Sequence, residues 1–259
     1  MIDNDQRPPL FPLEERPPAA STGQESIFSS LGFLTNPFSD DPAGGPFIEA
    51  SGQTMVLDLL TEWWQEQPGG SLALVTGPTG SGKTRLFLEA QRVVANDNTT
   101  RLATVADQGA RRSDAQLLKD ILIAFAGTPV GRTGLELQAG IRQRFGQIVD
   151  AGQRPLLLVD SANFTGSQLE ILRSLLTDAP ASIVLFGDPD LADRVTRRQS
   201  LAALVGFASE IEPFEADDIT NLIQQRLAAS LANEGDASFQ IDDDAWREVN
   251  DLVRGNPGR

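Results

Sequence analysis

Three stretches of the chain are apolar at consecutive positions: Leu72-Ala73-Leu74-Val75, Pro155-Leu156-Leu157-Leu158-Val159 and Ile183-Val184-Leu185-Phe186. Short unbroken runs bounded by turn residues predict strands buried on both faces. Arg101 to Ala106 predicts a further strand, and Glu210 to Phe214 a short last one. Between them the apolar spacing changes to three and four, which predicts helices over 85–95, 114–125, 135–151 and 168–176. Strands of this kind alternating with helices predict a parallel sheet covered on both sides, an α/β fold of three layers. A helix is predicted over 50–67 from Met55, Leu59, Leu60 and Trp63, ended by Pro68-Gly69-Gly70. After Glu215 the pattern is helical only, over 217–231 and 243–253.

The same patterning divides the chain. Residues 1–25 contain Arg7-Pro8-Pro9 and Arg16-Pro17-Pro18 and little that can be buried, so a disordered Pro-rich tail is expected, with a docking peptide as its functional alternative. Residues 26–70 form a lead-in with the apolar cluster Phe28, Leu31, Phe33, Leu34, Pro37 and Phe38, expected to pack onto the main domain, followed by the first helix. Residues 71–214 form the core, and 215–259 a small helical subdomain.

Composition narrows the chemistry. Among 259 residues there is no His and no Cys, which removes His-based acid–base catalysis, disulfides and thiolate or imidazole zinc sites. No apolar run reaches membrane-spanning length, and the start Met1-Ile2-Asp3-Asn4-Asp5 carries no secretory pattern, so no membrane insertion and a cytoplasmic location are expected. The net charge of −15 argues against broad nucleic-acid binding, leaving Arg111-Arg112 and Arg194 to Arg198 as the close basic clusters.

The segment between the first predicted strand and the helix after it carries the sharpest signal. Gly77-Pro78-Thr79-Gly80-Ser81-Gly82-Lys83-Thr84 fits G-x-x-x-x-G-K-[ST] in the strand–loop–helix context this motif requires. Its glycines let backbone N–H groups turn inward on phosphate oxygens, and the helix start adds partial positive charge. Lys83 is expected to reach the β- and γ-phosphates and Thr84 to hold Mg²⁺, with Arg85 just beyond. Asp160, ending the most apolar strand, is the acid expected to help order Mg²⁺ (the Walker B pattern).

The position after Asp160, where a water-polarising Glu is common, holds Ser161, which has no useful basicity at neutral pH. Asn163 is able to orient a water but not to take its proton. Asp188, ending the next strand, sits where a γ-phosphate-sensing side chain belongs, with a turn or N-cap role as the alternative. Arg194, Arg197 and Arg198 precede the last strand, where an arginine can enter a neighbouring subunit's nucleotide site; a basic surface helix is the alternative. Arg259 is a candidate γ-phosphate contact from the helical subdomain.

With these residues in place the chain resembles AAA+ ATPases, and most of all the group of the ExeA/GspA-type secretion ATPases and the transposition regulators TnsC, TniB and MuB. Gly32-Phe33-Leu34 with Asn36-Pro37-Phe38 is similar to that group's lead-in, and Gly187-Asp188-Pro189-Asp190-Leu191 to its Gly-Gln-Pro-Glu-Leu segment. Gly255-Asn256-Pro257-Gly258-Arg259 resembles its Gly-x-Pro-Arg segment with one residue inserted, and the lid is expected to be incomplete, as in a truncated chain. The resemblance implies a P-loop NTPase sheet of order 5-1-4-3-2, ATP and Mg²⁺ held between subunits, and self-assembly into a ring or filament. It implies an ATP hydrolase serving a larger protein machine of secretion type. The alternatives are a transposition regulator forming ATP-dependent filaments on DNA, and a nucleotide-binding switch with little hydrolysis.

Overall fold

The computed structural model describes residues 29, 32–38, 51–67, 69–106, 112–126, 131–160, 163–179, 181–231 and 243–253. The expected tail, Ser161, Arg111, the start of the lead-in cluster at Phe28 and Leu31, and Arg259 lie outside them.

A helix, α1 (Ser51–Glu66), precedes the first strand, β1 (Leu72–Thr76). Then come α2 (Lys83–Ala95), β2 (Thr100–Ala106), α3 (Asp114–Ala126), α4 (Gly134–Asp150) and β3 (Arg154–Asp160). The chain continues through α5 (Gly166–Asp178), β4 (Ser182–Gly187), α6 (Pro189–Thr196), α7 (Gln199–Ala202) and β5 (Val205–Glu210). It ends in α8 (Ala216–Ser230) and α9 (Asp243–Val253).

The strands form one parallel sheet of order β2-β3-β4-β1-β5, which is the expected 5-1-4-3-2 read from the other edge. Every residue of β1 and β4 is buried, because successive side chains point into opposite helical layers. Leu72, Leu74, Leu157, Val159, Ile183 and Leu185 join one core with Leu117, Ile121, Phe145 and Leu172 of α3, α4 and α5. Ala73, Val75, Leu156, Leu158, Val184 and Phe186 face the other way, toward Leu60 and Trp64 of α1 and Leu86 and Phe87 of α2. Each fully buried large apolar side chain contributes about 1.5–3 kcal/mol, so the unbroken apolar runs require helices on both faces of the sheet.

The last strand differs from expectation. It is Val205–Glu210, not Glu210 to Phe214. As an edge strand it alternates half-buried and exposed residues, so no apolar run marks it. Its Gly206 is demanded by close packing: a Cβ there would lie 2.5 Å from Ser71 Oγ and 2.7 Å from Trp63 Nε1. Ile211 and Phe214 are buried, but in the connection to α8, where the Ile211 N–H donates to the Thr76 carbonyl at 2.7 Å.

The described part of the lead-in meets the helical end of the chain. Phe33 is buried and forms an antiparallel bridge with Leu231, and the Leu34 N–H donates to the Ser230 carbonyl at 2.7 Å. Phe214 and Ile219 pack with Leu222, Ile223, Val249 and Val253 in a small separate apolar cluster joining α8 to α9.

Candidate nucleotide site

Because the sheet is parallel, the C-terminal ends of its strands share one edge, where ligands of open α/β sheets bind. β4 lies between β1 and β3, with Thr76 in register with Gly187 and Val159 with Leu185. That pairing brings the loop after Thr76, the carboxylate of Asp160 and the turn at Asp188 to adjacent positions on the edge. The Gly77 N–H donates to the Gly187 carbonyl at 3.2 Å, so the β1–β4 pairing carries one residue into the loop.

From Gly77 the loop turns back toward α2. Pro78 and Thr79 are exposed, Gly80 and Gly82 are half-buried, and Ser81 is buried. Gly80 and Gly82 have φ of +84° and +87°, a region that costs other residues steric strain. Gly77 is small for a different reason: a Cβ there would lie 2.7 Å from Ser81 Oγ. Gly82 is the N-cap of α2 and no side chain caps it, so the first N–H groups of the helix have no side-chain acceptor at the cap. Such a helix start faces anions favourably.

Lys83 Nζ donates to the carbonyls of Gly77 and Pro78, both at 2.7 Å, and lies 3.5 Å from Asp188 Oδ1. The ammonium is thus curled into the loop, its side chain 11% exposed, beside a carboxylate that is 67% exposed. The Thr84 hydroxyl donates to Asp160 Oδ2 at 2.9 Å. Asp160 is buried, and Arg85 is half-buried on the first turn of α2. Asp188 stands at the N-cap of α6 but makes no side-chain cap. Its described partner is Lys83.

Asn163 and the arginines form a second group. Asn163 is exposed, and its Oδ1 accepts from Arg194 Nη1 at 3.2 Å. The same nitrogen of Arg194 donates to the Phe164 carbonyl at 2.9 Å. Arg198 folds back onto its own segment, Nη1 donating to the Arg194 carbonyl at 2.7 Å, and its guanidinium lies where a side chain on Gly166 would stand. Arg194 and Arg198 therefore brace the segment that follows β3. Arg197, at the C-cap of α6, is exposed. Arg112 is also used internally: it donates to the Ala106 carbonyl and pairs with Asp120 at 3.4 Å.

One residue at the site escaped the reading of the sequence. Gln53 of α1 is buried, and its Nε2 donates to the Ser81 carbonyl at 3.0 Å. The available signal was its spacing: it sits three, four and seven residues before Val56, Leu57 and Leu60, on the apolar stripe of α1.

The residues present suit a nucleoside triphosphate with a divalent cation. The loop closes on itself where a Cβ would not fit, an uncapped helix start opens at its end, and an ammonium stands inside it. Among the described residues no group of three or more acidic, His or Cys side chains is placed to hold a metal. Thr84 and Asp160 alone underfill the roughly six oxygens a Mg²⁺ ion requires, so the phosphates and water must supply the rest. Two carboxylates beside a polyanion also require that cation, since unscreened like charges at such distances repel by several kcal/mol.

The family described as AAA domain matches residues 65–195, which hold the phosphate loop, Asp160, Asn163, Asp188 and Arg194 but not Gln53, Arg197 or Arg198. The chain belongs to the AAA domain family. AAA domains are in general nucleotide-binding nucleoside-triphosphate hydrolases. Solved structures agree on the fold. The Cdc6p protein of Pyrobaculum aerophilum superposes with a TM-score of 0.64 at 17% identity, covering 85% of this chain and 59% of that one. The Orc1 protein of Aeropyrum pernix, solved in complex with DNA, gives 0.61 at 14% identity over 84% of this chain and 58% of that one. The Orc2 protein of the same organism, solved as ADPNP–ADP complexes, gives 0.59 at 14% identity over 78% and 58%. This AAA domain thus spans less than two thirds of the length of each of these proteins. No curated protein matches the chain in sequence. No described helix of the AAA domain is long and apolar enough to cross a membrane.

Proposed function

We propose that the chain binds ATP with Mg²⁺ at residues 77–84 and uses it to control assembly with further copies of itself and with a larger protein complex, as in ExeA-type secretion ATPases. The observation that carries the nucleotide reading is the joint placement of Lys83 inside the loop and of Thr84 on Asp160 at one sheet edge. When bound, Mg²⁺ would neutralise phosphate charge. Lys83 would exchange the Gly77 and Pro78 carbonyls for phosphate oxygens, Thr84 and Asp160 would orient the ion's shell, and the N–H groups at Gly82 and beyond would face the phosphates.

Hydrolysis is a separate matter. Asn163 is held by Arg194 and has no basicity, and Ser161 follows Asp160 in the sequence. Slow turnover, with the nucleotide acting chiefly as an assembly switch, fits these side chains. Arg197, exposed beyond α6, is our candidate for reaching a neighbouring subunit's site; Arg194 and Arg198 are committed to their own chain. Arg259 retains its proposed role as a lid contact.

The second reading, a regulator acting on DNA, is favoured by the likeness to a protein solved with DNA. The net charge of −15 and the internal use of Arg112 weigh against it. Mobility shifts of duplex DNA with and without ATP separate the two readings. ATP-dependent retention of the duplex would overturn the first. ATP-dependent growth of the protein's own sedimentation coefficient without DNA would support it.

A further inference from the structure

The geometry points to Gln53 of α1 as a positioning residue that locks the Ser81–Gly82 peptide of the phosphate loop in its phosphate-binding orientation. The inference rests on the nucleotide reading of residues 77–84 given above. Gln53 lies outside the residues matched by the AAA family, yet it is 3% exposed and gives its amide hydrogen to the Ser81 carbonyl, 28 residues away, at 3.0 Å. A trans peptide is planar, with its C=O and N–H pointing in opposite directions. Holding the Ser81 carbonyl toward α1 therefore holds the Gly82 N–H away from α1, on the loop's own concave side.

That lock is needed because of the residue it controls. Gly82 has φ +87° and no Cβ, so nothing intrinsic to it resists a flip of the preceding peptide. A flip would turn the Ser81 carbonyl inward, replacing a donor with an acceptor facing phosphate. Steric fit supports the same pairing: a Cβ on Gly82 would collide with the Gln53 amide. Gly82 is thus small partly to admit Gln53. Among the described residues the buried Ser81 hydroxyl has no partner, so it offers no alternative anchor for this peptide.

α1 is held firmly enough to act as the anchor. Leu60, Trp63 and Trp64 are buried in the core shared with α2, and Trp63 stacks obliquely with Phe207 of β5, ring centres 6.4 Å apart. Arg154, at the start of β3, donates to the carbonyls of Trp64 and Gln65 at 2.8 and 2.9 Å, tying down the end of the helix.

The test uses the full chain, a fluorescent ATP analogue with Mg²⁺, and the variants Gln53→Met and Gln53→Glu. Methionine keeps the volume and removes the donor; glutamate places a carboxylate against the Ser81 carbonyl. One hydrogen bond of this kind corresponds to about a tenfold change in affinity. The expected result is an analogue affinity weakened about tenfold by Gln53→Met and further by Gln53→Glu, with faster amide exchange at Gly82 in both unliganded variants. A merely structural role would lower the unliganded Tm and leave affinity, measured well below that Tm, within twofold. That outcome overturns the inference, as does unchanged exchange at Gly82. If the parent chain itself fails to bind the analogue, or binds it equally after Lys83→Ala, the nucleotide reading has failed instead. Should Gln53→Met not fold, the affinity and exchange of Gln53→Glu decide the question alone.

Discussion

The Thr84 hydroxyl donates to Asp160 Oδ2 at 2.9 Å across 76 residues of chain, joining the first turn of α2 to the end of β3. The bond exists because β4 separates β1 from β3 by one strand only, so the loop after β1 and the last residue of β3 meet over the Gly187 end of β4. A hydroxyl given to a buried carboxylate aligns both groups for a shared cation.

Asp160→Asn therefore keeps the shape and an acceptor for Thr84 while removing the charge. Unliganded stability is expected to change by less than about 1 kcal/mol, since the hydrogen bond survives. Mg²⁺-supported ATP binding is expected to weaken roughly 10- to 100-fold, the usual effect of disturbing groups that orient a metal's ligands. Titration calorimetry with and without Mg²⁺ measures both. Equal binding by the parent and the variant in Mg²⁺ would remove Asp160 from the site.

Asp188 offers the opposite expectation. Its carboxylate is 67% exposed and 3.5 Å from Lys83, and exposed pairs of this kind contribute about 0–1 kcal/mol. A polyphosphate would take over its partner and be repelled by its charge. Asp188→Asn should bind ATP at least as tightly as the parent chain and melt at nearly the same temperature. A loss of affinity beyond tenfold would mean that Asp188 acts on the nucleotide through the cation.

Away from the site, Asp97 gives a pH signature. Burial opposes its charged form, but hydrogen bonds from the Thr99 and Thr100 hydroxyls and the Thr99 N–H outweigh that and bring its pKa from 3.8 down to about 2. Arg154 lies 3.6 Å away. The folded pKa is below the unfolded one, so the stabilisation is full above about pH 4 and is lost as the pH falls toward 2. The shift corresponds to roughly 2 kcal/mol. Asp97→Asn should be less stable than the parent at pH 7, with the gap closing between pH 4 and pH 2 in urea unfolding. A constant gap across that range would show that the charge contributes nothing.

Much of this was legible in the chain before any coordinates. The doubly buried strands at 72–76, 155–160 and 182–187 write themselves as apolar runs, and the phosphate loop writes itself as glycines before Lys83-Thr84. What was not legible depended on contacts between distant segments. β5 is an edge strand, half-exposed at every other residue and containing Gly206, so Ile211 and Phe214 imitated it more strongly than it showed itself. Gln53 reads as an ordinary polar helix residue until the fold brings α1 onto the loop. Arg194 and Arg198 read as a basic surface cluster; only the fold shows that the turn after β3 gives Arg194 an acceptor at Phe164, and that Arg198 turns back to the Arg194 carbonyl of α6.

The most direct measurement is calorimetric titration of ATP with Mg²⁺ into the chain and into Lys83→Ala. Lys83 makes two short hydrogen bonds inside the loop that phosphate oxygens would take over, and charge-assisted bonds contribute about 1.5–3 kcal/mol each. The account predicts saturable binding by the parent chain and an affinity at least about 100-fold weaker in the variant. Binding that is absent from the parent chain, or that survives Lys83→Ala undiminished, would contradict it.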